Sequence, residues 1–146
     1  MTIEPQIPST PGIARRLAAM IYDSLLIAAL WFAIDALLLL ITHGQLASPD
    51  RPLWQLYLLQ ACLIFITVLF FAGFWTHGGQ TLGMRAWRLR LVTIDNQPIN
   101  WQQSLKRLAI AIPSIGACGL GFLWMLLDRE HLALHDRLSG TKLILK

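Results

Sequence analysis

The chain has 146 residues, a length typical of one domain. Hydrophobic residues make up 55% of it and charged residues only 14%, whereas a soluble domain usually carries about 25% charged residues. The net charge is +4, but the basic residues flank apolar segments, a pattern typical of membrane orientation. These features exclude an ordinary soluble core. They predict a membrane protein whose partner is the lipid bilayer, with no nucleic-acid partner.

The first apolar segment follows a proline-rich tail over residues 1–12 and predicts a transmembrane helix over residues 13–42. About 20 apolar residues are enough to cross the hydrocarbon core. Asp23 and Asp35 lie inside this helix, although a charge at the centre of a span costs roughly 2.5–3.5 kcal/mol. Helix geometry separates the two acids by about 18 Å along the axis and about 120° around it. They therefore do not form one carboxylate pair.

Asp23 lies toward the inner end of this helix, near the basic segments of the chain. We expect it to form an ion pair that fixes the fold, with Arg16, Arg85 or Arg107 as its partner. Arg16 is the nearest of these along the sequence and lies on the same helix face, about 10 Å away. The alternative is that Asp23 is a proton or cation site.

A second apolar segment predicts a transmembrane helix over residues 52–75. The two spans must run antiparallel, and counting at about 1.5 Å per residue places Asp35 and Gln60 at similar depth. We expect Asp35 to be protonated and hydrogen-bonded to Gln60. Alternatively, the two residues form an intramembrane proton or cation site along an aqueous path.

Three glycines after the second span predict a turn that leaves the membrane and opens an inner segment over residues 76–100. Within this segment, residues 87–93 alternate between polar and apolar, the period of a half-buried strand. The C-terminal tail, residues 129–146, ends in a similar stretch over residues 141–146. We expect the two stretches to pair as a short two-stranded ribbon on the cytoplasmic side.

The third apolar segment predicts a broken helix over residues 101–128, because it contains Pro113 and several glycines. If it crosses the membrane once with a kink, seven basic residues lie inside and five outside. If it re-enters on the same face, the split is eleven to one. The positive-inside rule favours the re-entrant form, with both termini cytoplasmic in a bacterial-type inner membrane. A single kinked span is the alternative.

The predicted fold class is all-α integral membrane, with two full transmembrane helices, a third broken apolar segment and a short cytoplasmic ribbon. The sequence has no nucleophile motif, no metal-ligand spacing and no nucleotide loop, so we expect neither an enzyme nor a cofactor. The run from His135 to Arg137 resembles a catalytic cluster only superficially. We expect Asp136 to fix the tail to the inner loop.

Several short motifs together resemble the RDD family of small membrane proteins, named for one arginine and two aspartates. The motifs are Arg-Leu-Ala-Ala at 16–19 with Asp23, Gly-Gln-Thr-Leu-Gly at 79–83, a basic strand at 87–92 and His-Asp-Arg-Leu-Ser-Gly-Thr at 135–141. The resemblance implies a membrane domain over residues 13–146, with Arg16, Asp23 and Asp136 as the signature residues. Met84 departs from the lysine that the family usually carries after this turn.

The resemblance also implies transport of a ligand, with sodium/proton exchange as one role proposed within the family. Two full spans cannot enclose a conduit, so ion or small-solute transport requires a homo-oligomer or a partner membrane protein. The alternative is a non-transporting membrane module that anchors or assembles a partner protein.

Overall fold

The computed structural model describes residues 10–48, 50–116, 124 and 132–146. Two long helices, α1 (Ile13–Ile41) and α2 (Leu53–Thr76), are joined by a turn that contains a short 3-10 helix at Gln45–Ala47. The shorter elements that follow are helix α3 (Leu82–Ala86), strand β1 (Leu89–Thr93), helix α4 (Trp101–Gly116), helix α5 (Leu134–Ser139) and strand β2 (Thr141–Leu145). The described chain is mostly helical, with one small antiparallel sheet.

Helices α1 and α2 are long and apolar enough to cross a membrane, with hydropathies of 2.5 and 2.3 over their most apolar windows. Only 6% of the most apolar part of each helix is buried within the protein. Large apolar side chains such as Phe32 and Leu40 are 76% and 74% exposed. A soluble protein would bury them, because burying one such side chain contributes about 1.5–3 kcal/mol. The exposed apolar surface therefore fits a lipid environment.

The two long helices are held at one end by the short elements. The close backbone contacts of α1 are with α3, and those of α2 are with α4. Between α1 and α2, the indole Nε1 of Trp31 donates a hydrogen bond to Thr67 Oγ1 at 3.0 Å. The predicted spans over residues 13–42 and 52–75 correspond to α1 and α2 within one residue at each end.

Strands β1 and β2 pair antiparallel, with Leu89 opposite Leu145 and Thr93 opposite Thr141. This pairing confirms the predicted two-stranded ribbon. β1 begins at Leu89 and not at residue 87, because Arg88 has a φ of +54° and this left-handed backbone cannot continue a strand.

A small hydrophobic core lies where the sheet meets the first turns of α1 and the last turns of α2. Its buried side chains are Ala19, Trp75, Met84, Leu89, Leu91, Ile99 and Leu143. The alternating pattern of β1 supplies part of this core, since residues two apart lie on the same face of a strand. The core therefore packs the sheet and α3 against the ends of the two long helices.

Helix α4 begins at Trp101, as predicted, and is capped by Asn100 and Gln103. Each of these side chains accepts a hydrogen bond from the backbone N–H of the other residue, at 2.8 and 3.0 Å. Pro113 lies inside the helix. The rest of the predicted broken segment, residues 117–123 and 125–128, lies outside the described residues, as does the choice between the re-entrant and the kinked form.

Candidate functional site

Asp136 lies near the start of α5 and is fully buried. Its Oδ2 accepts a hydrogen bond from Arg16 Nη1 at 2.6 Å, and its Oδ1 accepts one from Arg107 Nη1. The backbone N–H of Ala133 also donates to Oδ2, at 3.2 Å, so the same carboxylate caps the first turn of α5. We call Arg16, Arg107 and Asp136 the arginine–aspartate cluster. It joins α1, α4 and α5 through one side chain.

Neighbouring polar groups extend this cluster to α2 and β2. Arg107 Nη1 donates to Thr141 Oγ1 at 2.8 Å, and Thr141 shares a hydrogen bond of 2.7 Å with Ser139 Oγ. The guanidinium of Arg107 also lies over the indole ring of Trp75, 5.4 Å from its centroid. Arg16 Nε donates to the carbonyl of Pro11 at 3.2 Å. The arginines are therefore satisfied by several groups besides the carboxylate.

The charges of the cluster set the protonation of Asp136 and His135. Burial alone would raise the pKa of Asp136, but the guanidinium groups of Arg107 and Arg16 outweigh burial and lower that pKa below its ordinary value. Burial lowers the pKa of His135 to about 4, and the charge of Arg107 acts in the same direction. At neutral pH the carboxylate is therefore ionised and the imidazole is neutral.

Asp23 is buried on α1 and binds the segment that opens α3. Its Oδ2 accepts a hydrogen bond from Thr81 Oγ1, and its Oδ1 accepts one from the backbone N–H of Gly83 at 2.9 Å. Thr81 Oγ1 in turn accepts from the N–H of Met84 at 3.2 Å and caps α3. Asp23 thus holds α3 against α1.

The expected ion pair between Asp23 and a basic residue is wrong. Within the described residues, Arg16 and Arg107 bind Asp136 instead, and Arg85 is exposed on α3. The reason is the close approach of α3 to α1. Gly83 brings the backbone of α3 so close to α1 that a Cβ there would clash with the carbonyl of Ala19. At such a close approach a backbone N–H reaches the carboxylate directly, and no long basic side chain is needed.

Asp35 and Gln60 do not form the expected hydrogen bond. Asp35 Oδ1 is buried and has no hydrogen-bond partner among the described residues, whereas Gln60 is exposed on α2. Similar depth along two antiparallel helices was therefore not enough to bring these two side chains together. The cross-link between these helices is instead made by Trp31 and Thr67.

The structure brings together three of the predicted site residues, Arg16, Arg107 and Asp136, and separates Asp23, Asp35 and Arg85 from them. The predicted site residues did not include Thr81, Ser139, Thr141 and His135, which also take part in these networks. Their signal was present in the two motifs at 79–83 and 135–141, which contain all four. A hydroxyl in a motif does not reveal its partner, so only their position in the fold identified them.

A family model matches most of the chain. The model of the RDD family matches residues 10–140, which include α1, α2, β1 and the arginine–aspartate cluster. No match is found among curated proteins or among solved structures.

Proposed function

Because the chain belongs to the RDD family and has two apolar helices long enough to cross a membrane, we propose that it is an integral membrane protein that exchanges cations or protons as an oligomer. The observation that carries this proposal is the state of Asp35. Its Oδ1 is buried on a membrane-spanning helix and has no partner within the described chain. Intramembrane acids are expensive and commonly serve ion or proton pathways.

Oligomerisation is part of the proposal because two helices cannot enclose a path. A second copy that packs beside α1 would place further side chains around Asp35 and exclude lipid from it. A proton or a cation bound there would neutralise the carboxylate at membrane depth. The arginine–aspartate cluster is then a structural support at one end of the helices, and Asp35 is the residue that binds the ion.

The test is flux in vesicles reconstituted with the purified chain, driven by a pH gradient with sodium or potassium on the opposite side. We expect Asp35→Asn to abolish flux while the protein stays folded. Asp50→Asn is the matched control, since Asp50 is an exposed acid in the connection between the spans. No flux from the native chain, or normal flux from Asp35→Asn, contradicts the proposal.

The second candidate function is that of a non-transporting module that anchors or assembles a partner membrane protein. Gln60 favours it, because this amide is exposed on the apolar surface of α2. A polar side chain in that position is typical of a hydrogen bond to another helix. Gln60→Leu should then dissociate a copurified partner or a homo-oligomer without changing thermal stability. Ion flux through the purified protein, with neither a partner protein nor a second copy bound, would contradict this second function.

We also propose an inner-membrane location with both termini in the cytoplasm. The pairing of β1 with β2 supports it, because it joins residues on the two sides of the third apolar segment. Arg107, near the start of that segment, also forms an ion pair with Asp136 beyond its end. Both members of each pair must lie on one side of the membrane. Impermeant thiol labelling of Thr10→Cys and Ile144→Cys, in a background without the native cysteines, tests this. Labelling of either position from outside intact cells contradicts it.

A further inference from the structure

An open cavity of about 650 Å³ lies next to the end of α2, and four of its lining residues are basic. The lining residues are Gly78, Gln80, Arg85, Arg88, Arg90 and Lys146. In the part of the chain that the structure describes, none of the four basic side chains forms an ion pair. The amide of Gln80 is occupied, since it donates to the carbonyl of Leu89 at 2.6 Å. Four cations around one cavity attract an anionic ligand.

Arg88 occupies an unusual backbone position beside this cavity. It follows the C-cap of α3, where helices commonly place a left-handed glycine, and its φ is +54°. This conformation is unfavourable for a residue with a Cβ. Its carbonyl accepts a hydrogen bond from the backbone N–H of Lys146 at 2.9 Å, which holds two basic residues at the same cavity. An arginine at a position that suits glycine points to a role for its side chain.

A second, apolar groove of about 290 Å³ runs along the last turns of α2. It is lined by Leu69, Phe70, Gly73, Phe74, His77 and Arg85. Arg85 lines both the groove and the basic cavity, so the two are adjacent at this side chain. The groove is open at Gly73, where an added Cβ would meet no atom within 4 Å. An apolar groove on a membrane helix matches an acyl chain.

We propose that the cavity and the groove form one binding site for an anionic phospholipid. The head-group phosphate lies against Arg85, Arg88 and Arg90, whose planar guanidinium groups match phosphate oxygens in pairs. One acyl chain lies along the groove on α2. A free phosphate would use only the cavity. A zwitterionic lipid such as phosphatidylcholine would bring a choline cation beside four basic side chains, so an anionic lipid suits the cavity and the groove better. This site does not depend on the proposed ion exchange.

The test is native mass spectrometry of the full chain released from detergent, after incubation with phosphatidylglycerol or with phosphatidylcholine. We expect one phosphatidylglycerol to be retained per protomer, about thirtyfold more tightly than phosphatidylcholine, as two arginine contacts would provide. Excess inorganic phosphate should not displace it. Equal retention of the two lipids, or displacement by inorganic phosphate, would overturn the proposal.

Two variants separate the two halves of the site. Arg88→Gly removes one charge and suits the backbone, so the melting temperature should stay the same or rise while phosphatidylglycerol binds about fivefold more weakly. Gly73→Leu fills the groove at an open position and should weaken both lipids alike. Arg15→Gln is the control, because Arg15 is exposed outside the cavity. Unchanged phosphatidylglycerol retention in either Arg88→Gly or Gly73→Leu would overturn the proposal.

Discussion

The carboxylates at the buried end of the molecule, which holds the hydrophobic core and the arginine–aspartate cluster, have hydrogen-bond partners, whereas the carboxylate in the last third of α1 has none within the described chain. At the buried end, Asp136 receives two arginines and a backbone N–H, and Asp23 receives a hydroxyl and a backbone N–H. In the last third of α1, Asp35 has a buried oxygen with no partner in the described chain. A buried polar group without a partner costs about 1–3 kcal/mol relative to a satisfied one. The first two acids therefore contribute to the fold, whereas the third does not.

This comparison shows which acids specify the structure. Asp136 and Asp23 each join elements that are far apart in sequence, so they select one arrangement of α1, α3, α4 and α5. Asp35 forms no hydrogen bond within the described chain. A carboxyl group in this apolar helix therefore needs a proton, a ligand or another protein as its partner.

The largest effect is expected from Asp136→Ala. Removing the carboxylate leaves Arg16 and Arg107 buried without their counter-charge, which typically costs about 3–5 kcal/mol. Thermal unfolding in detergent measures this loss. Asp50→Ala, at an exposed acid, should melt like the native chain. Native stability of Asp136→Ala would mean that the cluster does not support the fold.

Gly83→Ala tests the contact that lets Asp23 bind α3. The new Cβ would clash with the carbonyl of Ala19 and would lie 2.9 Å from the Asp23 carboxyl group. Overpacking of this kind costs about 1–3 kcal/mol, and here it would also separate the carboxylate from its donors. Gly78→Ala is the control, since an added Cβ there meets no atom within 4 Å. Equal melting temperatures of the two variants would refute the close approach of α3 to α1.

The buried end should lose stability in mild acid, mainly through His135. The pKa of His135 is lowered from 6.5 to about 4 in the folded protein, so the unfolded chain binds the extra proton first. Stability should therefore fall as the pH drops from 6.5 toward 4, by at most about 1.4 kcal/mol per pH unit. Asp136, whose pKa is lowered from 3.8, adds its loss only below that range.

Unfolding in detergent at several pH values between 7.5 and 4.5 measures this slope. His135→Gln removes the titrating group, so its stability should depend less on pH in this window. The same slope in the native chain and in His135→Gln would exclude His135 as its cause.

The smallest effect on stability is expected from Asp35→Asn. Since the carboxyl oxygen has no partner in the described chain, the substitution should change the free energy of unfolding by less than about 0.5 kcal/mol. Asp23→Asn should be clearly less stable, because an amide cannot accept both hydrogen bonds in the same way. If Asp35→Asn unfolds the protein while Asp23→Asn melts normally, the roles of the two acids are reversed.

Local patterns in the sequence were sufficient to predict several elements. Hydropathy predicted α1 and α2, because crossing the hydrocarbon core depends on length and composition alone. The two-residue period predicted the pairing of β1 with β2. The helices α3 and α5 were missed, since helices of five and six residues are too short for a periodic signal.

Composition and hydropathy were enough to predict a membrane-type protein, the positions of its two long helices and the motifs that carry its polar residues. The folded chain was needed to show that Arg16 and Arg107 share Asp136, that Asp23 binds Thr81 and Gly83, and that Asp35 has no partner in the described chain. Hydropathy and strand period are properties of neighbouring residues. The partner of a buried charge is set by elements up to 120 residues apart, and their approach depends on packing contacts such as that of Gly83 on Ala19.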